Sequence, residues 1–211
     1  MTDLRRAQVD DLEPFTDFLA ALSPSTSYRR FFTGVSRLPA AQARRLLRSG
    51  GSQGAWLAWD EDTVVGHGQW ASIGPGAAEL ALVVADHAQG RGIGRALGTA
   101  AMRDAMAAGV RRLELVVQRD NALVRDLIAR RWPQRRSVVR DGLLVTEVTL
   151  AQLPEQRGPS TVELVDGTSV GGLDLLAQPV GGSTIQTQSR RWPLFHSASS
   201  SGLSRTNPQP R

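Results

Sequence analysis

The 211-residue chain contains no lysine and no cysteine, has a single tyrosine, Tyr28, and draws only 5% of its residues from the aromatics. Each scarcity excludes something. Without cysteine there is no disulfide framework, no thiolate metal site and no cysteine nucleophile. Without lysine there is no Walker phosphate loop, which requires G-x-x-x-x-G-K-[ST]. Sparse aromatics and arginines spread among acids argue against a surface on which nucleic-acid bases stack. No apolar run approaches the ~20 residues of a membrane span. The opening residues lack the apolar segment of a secretory signal. These absences lead to the expectation of a soluble, cytoplasmic protein with no membrane or nucleic-acid partner.

What the chain has in abundance is arginine and glycine. All 25 basic residues are arginine, the formal net charge is +5, and there are 21 glycines. The arginines are spread along the chain and alternate with acids. A moderate positive charge of this kind suits a small polyanionic ligand. The most informative glycines stand in Gln89-Gly90-Arg91-Gly92-Ile93-Gly94, between an apolar run and a helix-like run over residues 95–108. A glycine turn from strand to helix allows positive φ, and the N–H groups of the first helical turn point outward unpaired. With the helix dipole added, this is a phosphate cradle. A dinucleotide fingerprint needs G-x-G-x-x-G. Counting from Gly90 its third glycine falls on Arg95, and from Gly92 on Leu97, so that reading fails. A bare turn that holds no ligand is the alternative.

The rest of the pattern gives an ordered set of elements. A strand over residues 4–7 precedes a helix capped by Asp10 or Asp11, with Leu12, Phe15, Phe18, Leu19 and Leu22 on its apolar face. Ser23-Pro24-Ser25 breaks that helix. A short segment over 28–32 is followed by a helix over 39–48, with Leu38, Gln42, Arg45 and Leu46 along one side. Strands are predicted over 55–59, 63–72 and 77–84, joined by turns at 60–62 and 74–76. A helix ended by Gly109, a strand over 112–117, a helix over 121–131 and a hairpin around Asp141-Gly142 complete the set. This is an α/β (α+β) three-layer arrangement. A domain of 150 residues buries roughly 70% of its unfolded surface, enough for a real core. The domain is expected over residues 1–152. Residues 153–211 are rich in serine, glycine, glutamine and proline, a low-complexity extension whose composition favours disorder.

The spacing Q-x-x-G-x-G after Val83-Val84-Ala85-Asp86 resembles motif A of the GNAT superfamily of N-acetyltransferases, and the element order over roughly residues 3–150 resembles the GNAT fold. The resemblance implies a central mixed, mostly antiparallel sheet flanked by helices. It implies an acetyl-CoA cosubstrate and no metal. The pantetheine arm would pair with the backbone of Leu82, Val83 and Val84. The pyrophosphate would lie on the loop Gln89, Gly90, Arg91, Gly92, Ile93, Gly94 and Arg95, with the two arginine side chains either adding contacts or remaining solvated. Asn121 matches an asparagine that contacts the cofactor in many members. Its other reading is a helix N-cap.

Acyl transfer to an amine needs the amine neutral. For a lysine ammonium of reference pKa about 10.4, deprotonation at neutral pH costs roughly 4 kcal/mol. Glu79, the one acid in an otherwise apolar strand, is the expected general base, since burial would raise its pKa. An outward-facing strand glutamate is the alternative. His67 and His87 are further candidates, and Asp86 is expected to hold its loop. Many members carry a tyrosine acid seven residues after the asparagine. Here Ile128 stands in that position, and Trp132 replaces the usual glycine. Leu22-Ser23-Pro24-Ser25-Thr26-Ser27-Tyr28-Arg29-Arg30-Phe31-Phe32 looks like a segment of Pat-type bacterial protein lysine acetyltransferases, whose aromatics would pack helices onto the sheet. The expected activity is acetyl transfer by direct attack in a ternary complex, to a protein lysine or to a small amine. A non-catalytic acyl-CoA-binding module is the rival reading.

Overall fold

The computed structural model describes residues 2–32 and 38–150. The low-complexity extension expected over 153–211 lies outside the described residues. The strands are β1 (Thr2–Arg6), β2 (Gln53–Asp60), β3 (Thr63–Gly74), β4 (Ala77–Val84), β5 (Arg112–Gln118), β6 (Arg136–Arg140) and β7 (Leu143–Thr149). The helices are α1 (Leu12–Ala21), α2 (Pro24–Phe31), α3 (Ala40–Leu46), α4 (Ile93–Ala107) and α5 (Ala122–Arg131).

The seven strands form one sheet in the order β1-β2-β3-β4-β5-β7-β6. All pairs are antiparallel except β4 with β5. The parallel ladder is short: Ala77 pairs with Arg112, Ala78 with Leu113 and Glu79 with Glu114, and there it stops. β4 stays paired to β3 as far as Val84, and β5 stays paired to β7 as far as Gln118. The two strands therefore diverge from Glu79 onward, and among the described residues no strand pairs with residues 80–84 on their β5 side. A wedge opens in the middle of the sheet, with Glu79 at its vertex.

Each face of the sheet is covered by helices. α1 places Phe15, Phe18 and Leu19 in a core shared with Leu57, Val65 and Val83. α4 buries Ile93, Leu97, Ala101 and Ala105 against the other face. Its close seat depends on glycine: a Cβ on Gly68 would lie 3.2 Å from the Leu97 Cβ and 3.4 Å from the Leu97 carbonyl oxygen. Asp104 of α4 accepts a 2.8 Å hydrogen bond from the Trp70 indole of β3 and pairs with Arg6 of β1. Helix and sheet are thus clamped on the side away from the wedge.

Several sequence expectations need correction. Ser23-Pro24-Ser25 does end α1, but it also starts another helix. Ser23 accepts a hydrogen bond from the Thr26 amide as an N-cap and Pro24 occupies the first turn, so among the described residues three α-helices, not two, separate β1 from β2. Asp11 occupies the N-cap position of α1 without capping it. Its carboxylate is taken by the Gln8 amide at 2.8 Å and the Arg5 guanidinium at 2.7 Å. The buried side of α3 is Ala43 and Leu46, with Leu47 following; Gln42 and Arg45 are exposed. α4 begins at Ile93, two residues before the predicted start, because Gly92 already serves as its N-cap.

Candidate functional site

The alternation of β4 sorts its side chains. Glu79 shares a face with its partner Ala71 and, through the register, with Gln69, His67 and Val83. Leu82 and Val84 point to the opposite face, beneath α4. A Cβ on Gly94 would stand 3.6 Å from both. Leu82 is 39% exposed although its neighbours Leu80 and Val83 are buried, so the open β4 edge is accessible at that point.

The glycine loop meets the end of this strand. The Gln89 side-chain amide donates to the Val84 carbonyl at 3.1 Å. Gly90 and Gly92 have φ of 78° and 83°, a left-handed backbone that glycine adopts without strain, and no heavy atom lies within 4 Å of where a Cβ would stand on either. Open space above a positive-φ loop is what an approaching ligand requires. The Ala96 amide is the first that α4 takes up, donating to the Gly92 carbonyl at 3.1 Å. The amides of Gly92, Ile93 and Gly94 precede the helical ladder and concentrate the positive end of the helix dipole. The loop and the open strand edge fit the pyrophosphate and the amide-bearing arm of a coenzyme A. The Arg91 side chain turns elsewhere: its guanidinium donates to Asp60 at 2.8 Å, at the far edge of β2.

At the vertex Glu79 is 3% exposed, and its Oε2 has no hydrogen-bond partner among the described residues. Burial pushes its carboxyl up to about 7; Arg30 draws it down and Glu114 adds to the rise. A carboxyl raised to that value lies near neutral pH, the range that suits a general base. The outward-facing alternative is therefore incorrect.

The other candidates separate cleanly. His67 is fully buried, packs at a tilt against Phe15 with ring centroids 4.9 Å apart, and donates through Nε2 to the Leu46 carbonyl at 3.0 Å. Burial and the nearby Arg30 hold it neutral, its pKa lowered to about 3. It is a core residue and not a base. His87 is exposed in the turn after β4. Asn121 caps α5, accepting from the Val124 amide at 3.4 Å. Ile128 is buried in the second apolar cluster, and Trp132 packs against the same cluster. Trp132 ends α5 with φ of −130°, so the backbone does not require the glycine it replaces.

α2 lies across the mouth of the wedge. At one end Asp86, just past β4, accepts from the Ser23 amide at 3.0 Å, the Ser23 hydroxyl at 2.8 Å and the Thr26 hydroxyl at 2.7 Å. At the other, Gln118, the last residue of β5, donates to the Tyr28 carbonyl at 3.4 Å. Tyr28 itself is 51% exposed, so it does not pack onto the sheet as expected; Phe31 does. Partial burial raises the Asp86 carboxyl, but the bonds from Ser23 and Thr26 outweigh it and hold it below the usual carboxylate value. A group lowered in this way stabilises the fold above its ordinary pKa, and the contribution is lost as pH falls through the folded value. Asp86→Ala is expected to speed amide exchange in α2 about fivefold at neutral pH, with the difference shrinking in acid. Unchanged exchange would show that α2 is held by packing alone.

Sequence reasoning missed Arg30. It is 5% exposed, and its Nε and Nη2 have no hydrogen-bond partner. The signal was present but depended on the helix start: with Ser23 as N-cap, residues 26, 27, 30 and 31 fall on one face of α2, beside Phe31.

Comparison with known proteins supports the same assignment. Residues 19–131 match the acetyltransferase (GNAT) family model. The fold resembles the GNAT domain of S. lividans PAT, at 25% identity and a TM-score of 0.64 over 70% of this chain and 89% of that one. It also resembles a GCN5-related N-acetyltransferase from Kribbella flavida, at 25% identity and a TM-score of 0.57 over 71% and 98% of the two chains. The PaiA N-acetyltransferase of Thermoplasma acidophilum, solved in complex with coenzyme A, shares the fold at 16% identity and a TM-score of 0.56 over 71% and 99%. No curated protein matches the sequence significantly. A family model spanning more than half of the chain, on a sheet that parts between β4 and β5 beside a glycine loop, establishes that this protein belongs to the GNAT acetyltransferase family and is an N-acetyltransferase.

Proposed function

We propose that the protein transfers an acetyl group from acetyl-CoA directly to an amine in a ternary complex, with Glu79 as the general base and a protein lysine as the acceptor. The observation that carries the reading is the buried carboxyl of Glu79 standing where the β4–β5 ladder ends. The backbone edge at Leu82, Val83 and Val84 would receive the pantetheine arm, and the amides from Gly90 to Arg95 the pyrophosphate. Asn121, already engaged through its side chain in capping α5, would add a contact through its remaining donors. Glu79 would take the proton from the amine as nitrogen attacks the thioester carbon. The thiolate leaves with a pKa of about 8.5, so solvent can protonate it and a tyrosine acid at Ile128 is dispensable.

The lysine preference rests on the similarity of residues 22–32 to Pat-type enzymes and on the likeness to the GNAT domain of S. lividans PAT. The test is thiol release from acetyl-CoA with three acceptor sets: folded proteins with exposed lysines, lysine peptides, and small amines. Acceptor-dependent release with the proteins, and mass addition on their lysines, is the expected result. Release with small amines alone would replace the lysine assignment. Coenzyme A binding without acceptor-dependent release in any set would favour a binding module.

A further inference from the structure

Arg30 is a cost the fold carries without an evident structural return. Its guanidinium is buried, yet Nε and Nη2 make no hydrogen bond, and its one ring contact is with the adjacent Phe31, 5.0 Å from the ring centroid. Burying a cation without hydrogen bonds is expensive, and apolar residues of similar volume often serve stability better. α2 does not need the charge for its placement. Asp86 holds its first turn, Gln118 reaches its Tyr28 carbonyl, and Phe31 anchors its last turn in the core.

Arg30 is buried on α2, the helix tied to the ends of β4 and β5 through Asp86 and Gln118, and its charge is felt by Glu79. Glu79 on β4 carries an unpaired Oε2, and Gln69 on β3 carries an unpaired Oε1 on the same face. His67, two residues before Gln69, turns a bare Nδ1 toward the same layer, because its Nε2 is committed to Leu46. On β5 the register partner of Glu79 is Glu114, whose own partner on β7 is Glu147. The groups around Glu79 are therefore one cation from α2, a neutral histidine and an amide from β3, and a second carboxylate from β5.

We propose that Arg30 is a positioning residue for acetyl transfer: its buried guanidinium, on the helix that crosses the wedge, keeps the Glu79 carboxyl ready to accept a proton and disfavours an ammonium at the vertex. The inference rests on Glu79 as the base. In the step it assists, the N–H proton of the acceptor passes to Glu79 while the nitrogen lone pair forms the bond to the thioester carbon and the C–S bond breaks. Arg30 touches neither reacting atom. It acts through Glu79, and burial of the guanidinium, which lowers its pKa only to about 10, leaves it charged throughout.

The test needs no acceptor. The 211-residue chain has seven glutamates, so 13C-carboxyl labelling gives a spectrum in which the Glu79 resonance is assigned by its loss in Glu79→Gln. The wild-type midpoint is expected near 7. Arg30→Met and Arg30→Gln should raise it by about one unit or more, Arg30→Lys should restore it, and Glu114→Gln should lower it. An unmoved midpoint in a folded Arg30→Met or Arg30→Gln protein overturns the proposal. So does failure of both neutral variants to fold while Arg30→Lys folds, because Arg30 would then be holding the structure. Should Glu79→Gln retain full turnover, the base assignment fails instead, and the carboxyl titration still reports separately on Arg30.

Discussion

Glu79→Gln is expected to lower kcat about 100- to 10,000-fold at neutral pH while leaving coenzyme A binding unchanged. The amide keeps the shape of the carboxyl and loses its ability to accept a proton. The same residue sets two pH dependences of opposite sign. Activity rises with pH through about 7, because below that value the buried carboxyl holds its proton. Stability moves the other way. The folded-state pKa is raised from 4.5 to about 7, so the protonated form is favoured by folding. That contribution is fully present below the unfolded value and is lost as pH rises through the folded one. By linkage it amounts to about 3 kcal/mol for a group this buried. The thermal midpoint of the wild type should therefore decline between pH 5 and pH 8 more steeply than that of Glu79→Gln. Turnover by Glu79→Gln within a few-fold of wild type at every pH would remove Glu79 from the mechanism. Equal slopes of stability against pH would show that the carboxyl is solvated.

Gly68→Val is expected to cost about 3 kcal/mol and to lower Tm by roughly 5–10 °C. Gly68 lies directly under α4, where even a methyl group would press on the Leu97 Cβ and carbonyl. Valine would reach further, into helix backbone that cannot rotate aside. The effect should extend to function, since α4 carries the glycine loop at its N-terminus. A displaced helix separates the Gly90–Gly94 amides from the end of β4, so coenzyme A affinity should fall along with stability. Differential scanning calorimetry and equilibrium dialysis with coenzyme A check the two halves. Wild-type stability would show that α4 rides on the sheet more loosely than its packing indicates. Lost stability with unchanged affinity would separate the loop from the helix seat.

How much could be read in advance varied with the kind of information each feature carries. The strands from Thr63 to Gly74 and Ala77 to Val84, the glycine loop and the turn at Asp141-Gly142 are local features, and composition and spacing reveal them. α2 was not legible in the same way. Its cap, Ser23, stands beside a proline that also ends α1, and one short signal served two helices. The role of Asp11 was misread for a related reason: a distant arginine and the Gln8 amide compete for its carboxylate, and a local cap rule contains neither.

His67 and Glu79 show the same boundary within the candidate site. Both are polar residues in apolar strands, and by sequence each had a claim to be the base. They share one face of the sheet, yet their surroundings differ. His67 meets Phe15, the Leu46 carbonyl and a cation, and is held neutral in the core. Glu79 meets the end of a ladder. Protonation follows from burial and from charges brought in by other elements, quantities that spacing along one strand does not contain.

By itself, the sequence pointed to a phosphate cradle and carried the family. The glycine spacing, the absence of lysine and the order of elements are properties of the chain read in line. Only the tertiary structure decided that β4 and β5 part at Glu79, that α2 spans the mouth of the opening, and that Arg30 is buried on that helix. Those facts depend on where paired strands stop pairing and on which helix covers the gap, both set by contacts between residues far apart in the chain.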